Sequence, residues 1–354
     1  MPDRCVVRAP NWVGDAVMAL PFFTSLRRNA GPASHIACLC RPPLASLYRQ
    51  VPEINEVIEL DESLGAHGWS AIRQNARLLR NQHFDAAFCL PTSFGSALMF
   101  WLARIPARYG HAADARRFLL TRSLPYGPNG HRPHRAEGYL SLLSLRWTNA
   151  VLSRQLRFAP GAEASRQVDA LMEGTREHGS IPLLAIGPGA AQPNKMWMLP
   201  NFAAIASRWI DELHGQVVLV GAGADSRLCD ELAVSCSPRE VRNLAGAGDL
   251  AIAAEIIRRA QVFLGNDSGL AHLAAAVGTR CVVISGPGDP AEVAPFSPVA
   301  VTIRHPVFCS PCYKNSCWRE DHPLECLTHI SVDDVWRHVV SSAGSSTPES
   351  ESQQ

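Results

Sequence analysis

Apolar residues in this chain fall into short unbroken runs, separated by longer stretches whose apolar positions recur three and four apart. Cys5-Val6-Val7, Ile36–Cys40, Leu183–Ile186, Val217–Val220 and Cys281–Ile284 are runs of the first kind. Segments that short, apolar on both faces, suit strands of a parallel sheet covered by helices on each side. The first half reads as strand Arg4–Ala9, a helix running to about Arg28, strands His35–Cys40 and Glu56–Leu60, and a helix over Trp69–Gln82. Strand Phe84–Leu90 and helix Phe94–Ala103 follow, then an irregular stretch over 105–132 and a helix at His134–Leu145. Ala150–Pro160 reads as a linker. Beyond it comes a helix near Ser165–His178, then strand Pro182–Ile186, helix Asn201–Leu213 and strand Val217–Val220. Strand Gln261–Leu264, helix Leu270–Val277 and strand Arg280–Ser285 complete the alternation. Repeated strand–helix alternation in both halves predicts two parallel sheets layered with helices. The expected domains are 1–155 and 156–340, followed by a Ser/Glu/Gln-rich tail, 341–354, expected to be disordered.

Glycine-rich turns follow several of these strands: Gly187-Pro188-Gly189, Gly221-Ala222-Gly223, Gly265–Gly269 and Gly286-Pro287-Gly288. Ligands of such sheets lie beyond the carboxyl ends of the strands, where these turns fall. Gly265-Asn266-Asp267-Ser268-Gly269-Leu270-Ala271-His272 is the most informative. A strand passes through it into a helix N-terminus, whose free N–H groups and dipole favour an anion. Asp267 or Ser268 acting only as an N-cap is the other reading. A dehydrogenase would need G-x-G-x-x-G in one βαβ unit, and neither Gly187–Gln192 nor Gly221–Ser226 supplies the third glycine.

Charge sharpens the picture. The net charge is +1, but residues 1–150 hold 17 Arg and no Lys against 10 acids, leaving the remainder net acidic. The first half is therefore expected to meet something anionic, with Arg116 and Arg117 as candidate contacts. Only Lys195 and Lys314 are lysines beside 31 arginines, so a lysine marks a place that wants a compact point charge. No apolar run approaches the roughly 18 residues of a membrane span, and no signal-peptide pattern opens the chain. Eleven scattered cysteines suit a reducing compartment, so a cytoplasmic location is expected.

Two α/β halves with phosphate-suited turns in the second are what a nucleotide-sugar transferase needs. Val13-Gly14-Asp15 after the first strand, Pro188-Gly189-Ala190 with Lys195-Met196-Trp197, Asp267-Ser268-Gly269-Leu270-x-His272 and Gly286-Pro287-x-Asp289-Pro290 occur in order. Together they resemble the ADP-heptose:lipopolysaccharide heptosyltransferases, glycosyltransferase family 9, over most of residues 4–340. Trp12-Val13-Gly14-Asp15 and Leu90–Leu98 look more like the enzymes adding the second heptose than the first. The resemblance implies an α/β GT-B fold, two Rossmann-like domains facing each other across a cleft, with the acceptor on the first and the donor on the second. It implies inverting transfer of a heptosyl group from ADP-L-glycero-D-manno-heptose to the lipid A-linked inner core. Asp15 maps onto the family's catalytic base, Lys195 onto its donor-phosphate lysine and Asp267 onto its donor-sugar aspartate. Gly189, Ser268, Gly269 and Leu270 fall in its donor motifs. Asp225, after a strand and a Gly-x-Gly turn, is placed to hold ribose hydroxyls by analogy with dinucleotide folds.

The blander readings are Asp15 as an N-cap, Lys195 as a loop lysine and His272 as a packing residue. Other expectations are an anionic lipid A-core acceptor, peripheral contact with the inner membrane surface and no nucleic-acid partner. The rivals are a GT-B transferase of another nucleotide sugar and a non-catalytic nucleotide-sugar binder. Departures from the family pattern are Met198 in place of a usual proline and Gly95 where lysine is common, at the element expected to meet an acceptor phosphate. With no Asp-x-Asp motif, no divalent ion is implied. Cys309, Cys312, Cys317 and Cys326 lie within 18 residues. Four thiols with one CxxC are compatible with structural zinc, but without a second CxxC reduced packed thiols are the preferred reading.

Overall fold

A computed structural model describes residues 3–63, 68–127, 132–173, 181–236 and 240–344. The chain forms two compact units: Met1–Ala164 with Asp249–Ala251 and Ala291–Ser297, and Ser165–Gly248 with Ile252–Pro290 and Pro298–Gln354. The first unit's strands are β1 (Arg4–Arg8), β2 (His35–Cys40), β3 (Glu56–Glu59), β4 (Ala86–Cys89), β5 (Ala107–Ala112) and β6 (Arg122–Pro125). The second unit's are β7 (Leu183–Gly187), β8 (Gln216–Leu219), β9 (Val241–Asn243), β10 (Val262–Asn266), β11 (Arg280–Ile284) and β12 (Ala300–Ile303).

Every pairing is parallel, and the sheet orders are β3-β2-β1-β4-β5-β6 and β12-β11-β10-β7-β8-β9. Both are the order of dinucleotide-binding sheets, which reverses direction beside its first strand. The switch points are therefore β1/β4 and β7/β10. Central strands β1, β2, β7, β10 and β11 are buried almost throughout, as expected of strands covered on both faces.

The helices follow from their stripes. In Leu199–Leu213, Phe202, Ile205, Ala206 and Trp209 recur at helical spacing and pack on Leu184, Ile186, Val217 and Leu219 of β7 and β8. The long helix expected to reach Arg28 is instead two, Val13–Met18 and Leu20–Ala30. Pro21 has no N–H to give the carbonyl four residues back, so the first ladder ends there.

The stretch 105–132, expected to be irregular, contains β5 and β6. Ala-Arg-Tyr-Gly-His-Ala shows no strand-like apolar pattern and pairs only because β4 presents an open edge, Ala86 opposite Ala107. Ala150–Pro160 has no regular element, yet Ser153, Leu156 and Phe158 are buried. Ser153 N–H is bonded to Ser25 Oγ at 2.8 Å, so this segment is packed onto the first unit. The last helix, Val332–Gly344, takes in the first four residues of the tail expected to be disordered; the remaining ten lie outside the described residues.

Candidate active site

In the first unit the chemistry gathers past the end of β1. Arg8, the last residue of that strand, is buried and gives its guanidinium to Asn11 Oδ1 and to the Ala9 carbonyl. Those bonds brace the loop that delivers Asp15. Burial pushes the Arg8 pKa down. The cap position of the helix Val13–Met18 is Trp12, without a side-chain cap bond, and Asp15 is its third residue. The N-cap reading of Asp15 therefore does not hold. Its carboxylate is about one-fifth exposed, and Arg135 Nη1 lies 4.0 Å away. Burial works to lower the Arg135 pKa, but Asp15, then Tyr126, Tyr139 and Glu292, raise it overall. Arg135 is thus a firm cation beside the carboxylate. Its pairing with a carboxylate 120 positions earlier leaves no local pattern, which is why Arg135 was not singled out.

In the second unit three loops converge at the β7/β10 switch point. Lys195, in a 3₁₀ turn after β7, donates to Asp267 Oδ2 at 2.8 Å, just past β10. His272 Nε2 is 3.9 Å from the other Asp267 oxygen, and both side chains are buried. Local sequence explains how Lys195 is aimed. Trp197, two residues on, is buried against Phe202, and its indole donates to the Ile330 carbonyl. Trp197 N–H is held by Asn266 Oδ1 at 2.9 Å, and Asn266 Nδ2 reaches the Pro188 carbonyl at 2.7 Å. Asn266, wholly buried, thus ties the turns after β7 and β10 together. It stands beside Asp267 in the octet, yet sequence reasoning passed over it, because its partners are backbone groups distant in the chain.

Ser268 occupies the N-cap position of the helix Gly269–Ala276 but makes no cap bond. Its Oγ is buried without a hydrogen-bond partner among the described residues, a donor and acceptor left available to a ligand. Gly269 begins the helix, and Leu270 packs towards the end of β7 at Gly187. Gly265 does not serve the turn as expected. It lies inside β10, where a Cβ would meet the Phe263 ring at 2.8 Å and the Gly187 carbonyl at 3.0 Å.

Asp225 accepts the Ala222 N–H at 2.9 Å within the turn after β8. A Cβ on Gly189 would stand 2.5 Å from its Oδ1, so the glycine of the first turn is what lets this carboxylate lie against it. Gly189, Asp225, Lys195, Asp267 and Ser268 thus belong to one rim at the carboxyl ends of β7, β8 and β10. The arrangement offers a cation and a free hydroxyl at a helix N-terminus for a diphosphate, with carboxylates beside it for hydroxyl groups.

The arginine pair separates. Arg116 is fully buried: its guanidinium donates to the carbonyls of His111, Pro91 and Ser93 at 2.6–3.0 Å. It is spent inside the fold and is not presented to an acceptor, which corrects the expectation for that residue. Arg117 is exposed in the following 3₁₀ turn. Cys309, Cys312, Cys317 and Cys326 line one small cavity as free thiols. Burial, then the other three cysteines, pushes the Cys326 thiol up to about 11. Among the described residues no group of three or more His, Cys, Asp or Glu is arranged to hold a metal ion. No helix among them is long and apolar enough to cross a membrane.

Two sheets of this order, with a lysine and carboxylates at the second switch point and a carboxylate beyond β1, define a GT-B glycosyltransferase. A solved structure of E. coli ADP-heptose lps heptosyltransferase II superposes with a TM-score of 0.78 at 26% identity, over 96% of this chain and 98% of that one. The chain belongs to glycosyltransferase family 9 (heptosyltransferase), whose sequence profile matches residues 72–322. It is 30% identical to lipopolysaccharide heptosyltransferase 2 of Salmonella typhimurium strain LT2, covering 85% of this chain and 88% of that protein. The enzyme of the same name from Escherichia coli K12 matches with the same identity and coverage. An E. coli heptosyltransferase solved with ADP, 17% identical with a TM-score of 0.73, shares the fold.

Proposed function

We propose that this glycosyltransferase moves a heptosyl group from ADP-heptose to the inner core of lipopolysaccharide, and that it adds the second heptose. The observation that carries the reading is the Lys195–Asp267 pair beside the Ser268 hydroxyl, unpartnered among the described residues, at the switch point of the second sheet. The 30%-identical relatives named lipopolysaccharide heptosyltransferase 2 support the substrate.

In the proposed chemistry an acceptor hydroxyl oxygen attacks the anomeric carbon as the bond to the ADP phosphate oxygen breaks, inverting that carbon. Asp15 takes the hydroxyl proton. Only an ionised carboxylate within hydrogen-bond reach can do so. Lys195 and the N–H groups opening Gly269–Ala276 stabilise the charge gathering on the departing diphosphate. Asp267 orients sugar hydroxyls, Asp225 the ribose, and Gly189 lets the donor approach the backbone. Arg117 meets the anionic, lipid-borne acceptor through charge-assisted bonds. The enzyme works at the cytoplasmic face of the inner membrane.

The test is purified protein with a panel of nucleotide sugars and lipopolysaccharide cores carrying no heptose or one, reading released nucleoside diphosphate. Release of ADP with ADP-heptose and the one-heptose core is expected. UDP release from another sugar would end the heptosyl reading. No turnover with any donor that binds would leave a sugar-nucleotide binding protein.

A further inference from the structure

The first unit carries a face of which the chemistry above uses only Arg117. Helices Trp69–Arg80 and Phe94–Leu102 lie side by side, with Ile72 of the first reaching the Gly95 backbone of the second. Beneath them Ala97, Leu98, Leu119 and Leu120 form a small buried cluster with Ile72, Phe94 and Leu102 at its edge. Large apolar side chains stand around that cluster in solvent: Phe118 is 72% exposed, Trp69 58%, Trp101 49% and Leu78 46%. The three aromatics adjoin it rather than being scattered. The Phe118 ring lies tilted at 53° to that of Phe94 with centroids 6.1 Å apart, Trp69 precedes Ile72 by one helical turn, and Trp101 follows Leu98 by one.

The charges on the same elements have one sign. Between residues 63 and 124 there are eight arginines and two acids. Of the acids, Asp85 accepts the Arg4 N–H and Asp114 accepts the Phe94 N–H, so both are engaged with backbone. Arg73, Arg77, Arg80 and Arg104 are exposed. Exposed aromatics amid arginines, with almost no compensating acid, match the chemistry of a bilayer interface. Indole and phenyl rings settle at headgroup depth, while guanidinium groups meet anionic headgroups.

We infer that this face, built from Trp69–Arg80, Phe94–Leu102 and the turn at Phe118, docks the enzyme on an anionic lipid bilayer. The inference rests on the reading above that the acceptor is lipid-borne, and it names the surface that brings the first unit to it. Rings supply insertion and arginines supply attraction, so binding requires anionic lipid and weakens with salt.

The test is flotation of the full chain with vesicles of phosphatidylcholine alone or with phosphatidylglycerol added, at low and high salt. The wild type is expected to float only with the anionic vesicles at low salt. Arg73→Gln/Arg77→Gln/Arg80→Gln should lower vesicle affinity roughly fivefold per arginine, and Trp69→Ser/Trp101→Ser about tenfold or more. Both variants should keep wild-type turnover on a delipidated core acceptor, which shows that they fold and separates docking from catalysis. A wild type that ignores anionic vesicles, or variants that float unchanged, would overturn the docking face even if transfer is confirmed. Vesicle binding without any heptosyl transfer would instead refute the proposed function and leave the face standing. If sedimentation shows a dimer that the tryptophan variant dissolves, with no vesicle binding, the face is a self-association surface and the inference fails.

Discussion

Removing the Lys195 amine tests whether it acts on the donor or merely anchors Asp267. Its Nζ lies 2.8 Å from Asp267 Oδ2, with Lys195 about one-quarter exposed and Asp267 nearly buried. A charge-assisted bond in that setting is worth about 1.5–3 kcal/mol, and partial solvent access puts this one at the lower end. Lys195→Ala should therefore lower the melting temperature by about 3–6 °C, at 2–4 °C per kcal/mol for a unit of this size. That leaves the protein folded at assay temperature. Loss of a preorganised cation at a departing diphosphate costs much more in rate, about two to three orders of magnitude in kcat. Asp267→Asn breaks the same ion pair while keeping the shape, which gives the control. If Lys195 served only that pair, Lys195→Ala would add nothing to Asp267→Asn, since one interaction cannot be lost twice. The reading here expects the double variant to fall at least about tenfold below Asp267→Asn alone. Steady-state ADP release at saturating donor reads both. Lys195→Arg should recover only part of the rate, because a planar fork does not replace a compact ammonium. A Lys195→Ala variant with full kcat and a modest rise in donor KM would refute the reasoning.

Asp15→Asn should fold and bind donor normally yet transfer about 100-fold more slowly or worse; turnover near wild type, with binding measured by calorimetry, would remove Asp15 as base. Arg117→Glu should raise the acceptor KM and leave the donor KM alone, whereas Arg116→Met should act on stability, costing about 3 kcal/mol as three carbonyls lose their donor; steady-state kinetics and thermal denaturation distinguish them. Gly189→Ala pushes a methyl onto the Asp225 carboxylate, and an overpacking cost of about 1–3 kcal/mol predicts a donor KM raised roughly tenfold. An unchanged donor KM would detach Asp225 from the donor.

Much of this molecule was legible in one dimension because its physics is local. A strand buried on both faces must be an apolar run, and Ile36–Cys40 and Cys281–Ile284 announce themselves. A turn that crowds its own backbone needs glycine, and one of only two lysines among 31 arginines stands out. What failed locally was what depends on a neighbour. β5 was missed because Ala107–Ala112 is a strand only by virtue of the open edge of β4, and the helix after β1 was drawn as one where Pro21 divides it into two. The site divides in the same way. Lys195 and Asp267 sit in turns, and Asp15 in the first turn of a helix, and the pattern around each marks it. Their company does not: Arg135 beside Asp15 and Asn266 bridging two turns join residues 69 to 120 positions apart in the chain. Charge counting was the weakest guide. The sequence shows how many arginines the first half carries, but only packing decides that Arg8 and Arg116 are consumed by buried carbonyls while Arg73, Arg77 and Arg117 face solvent. A guanidinium has the same composition in either place, and what differs is whether the fold leaves it water or backbone oxygen as its partner.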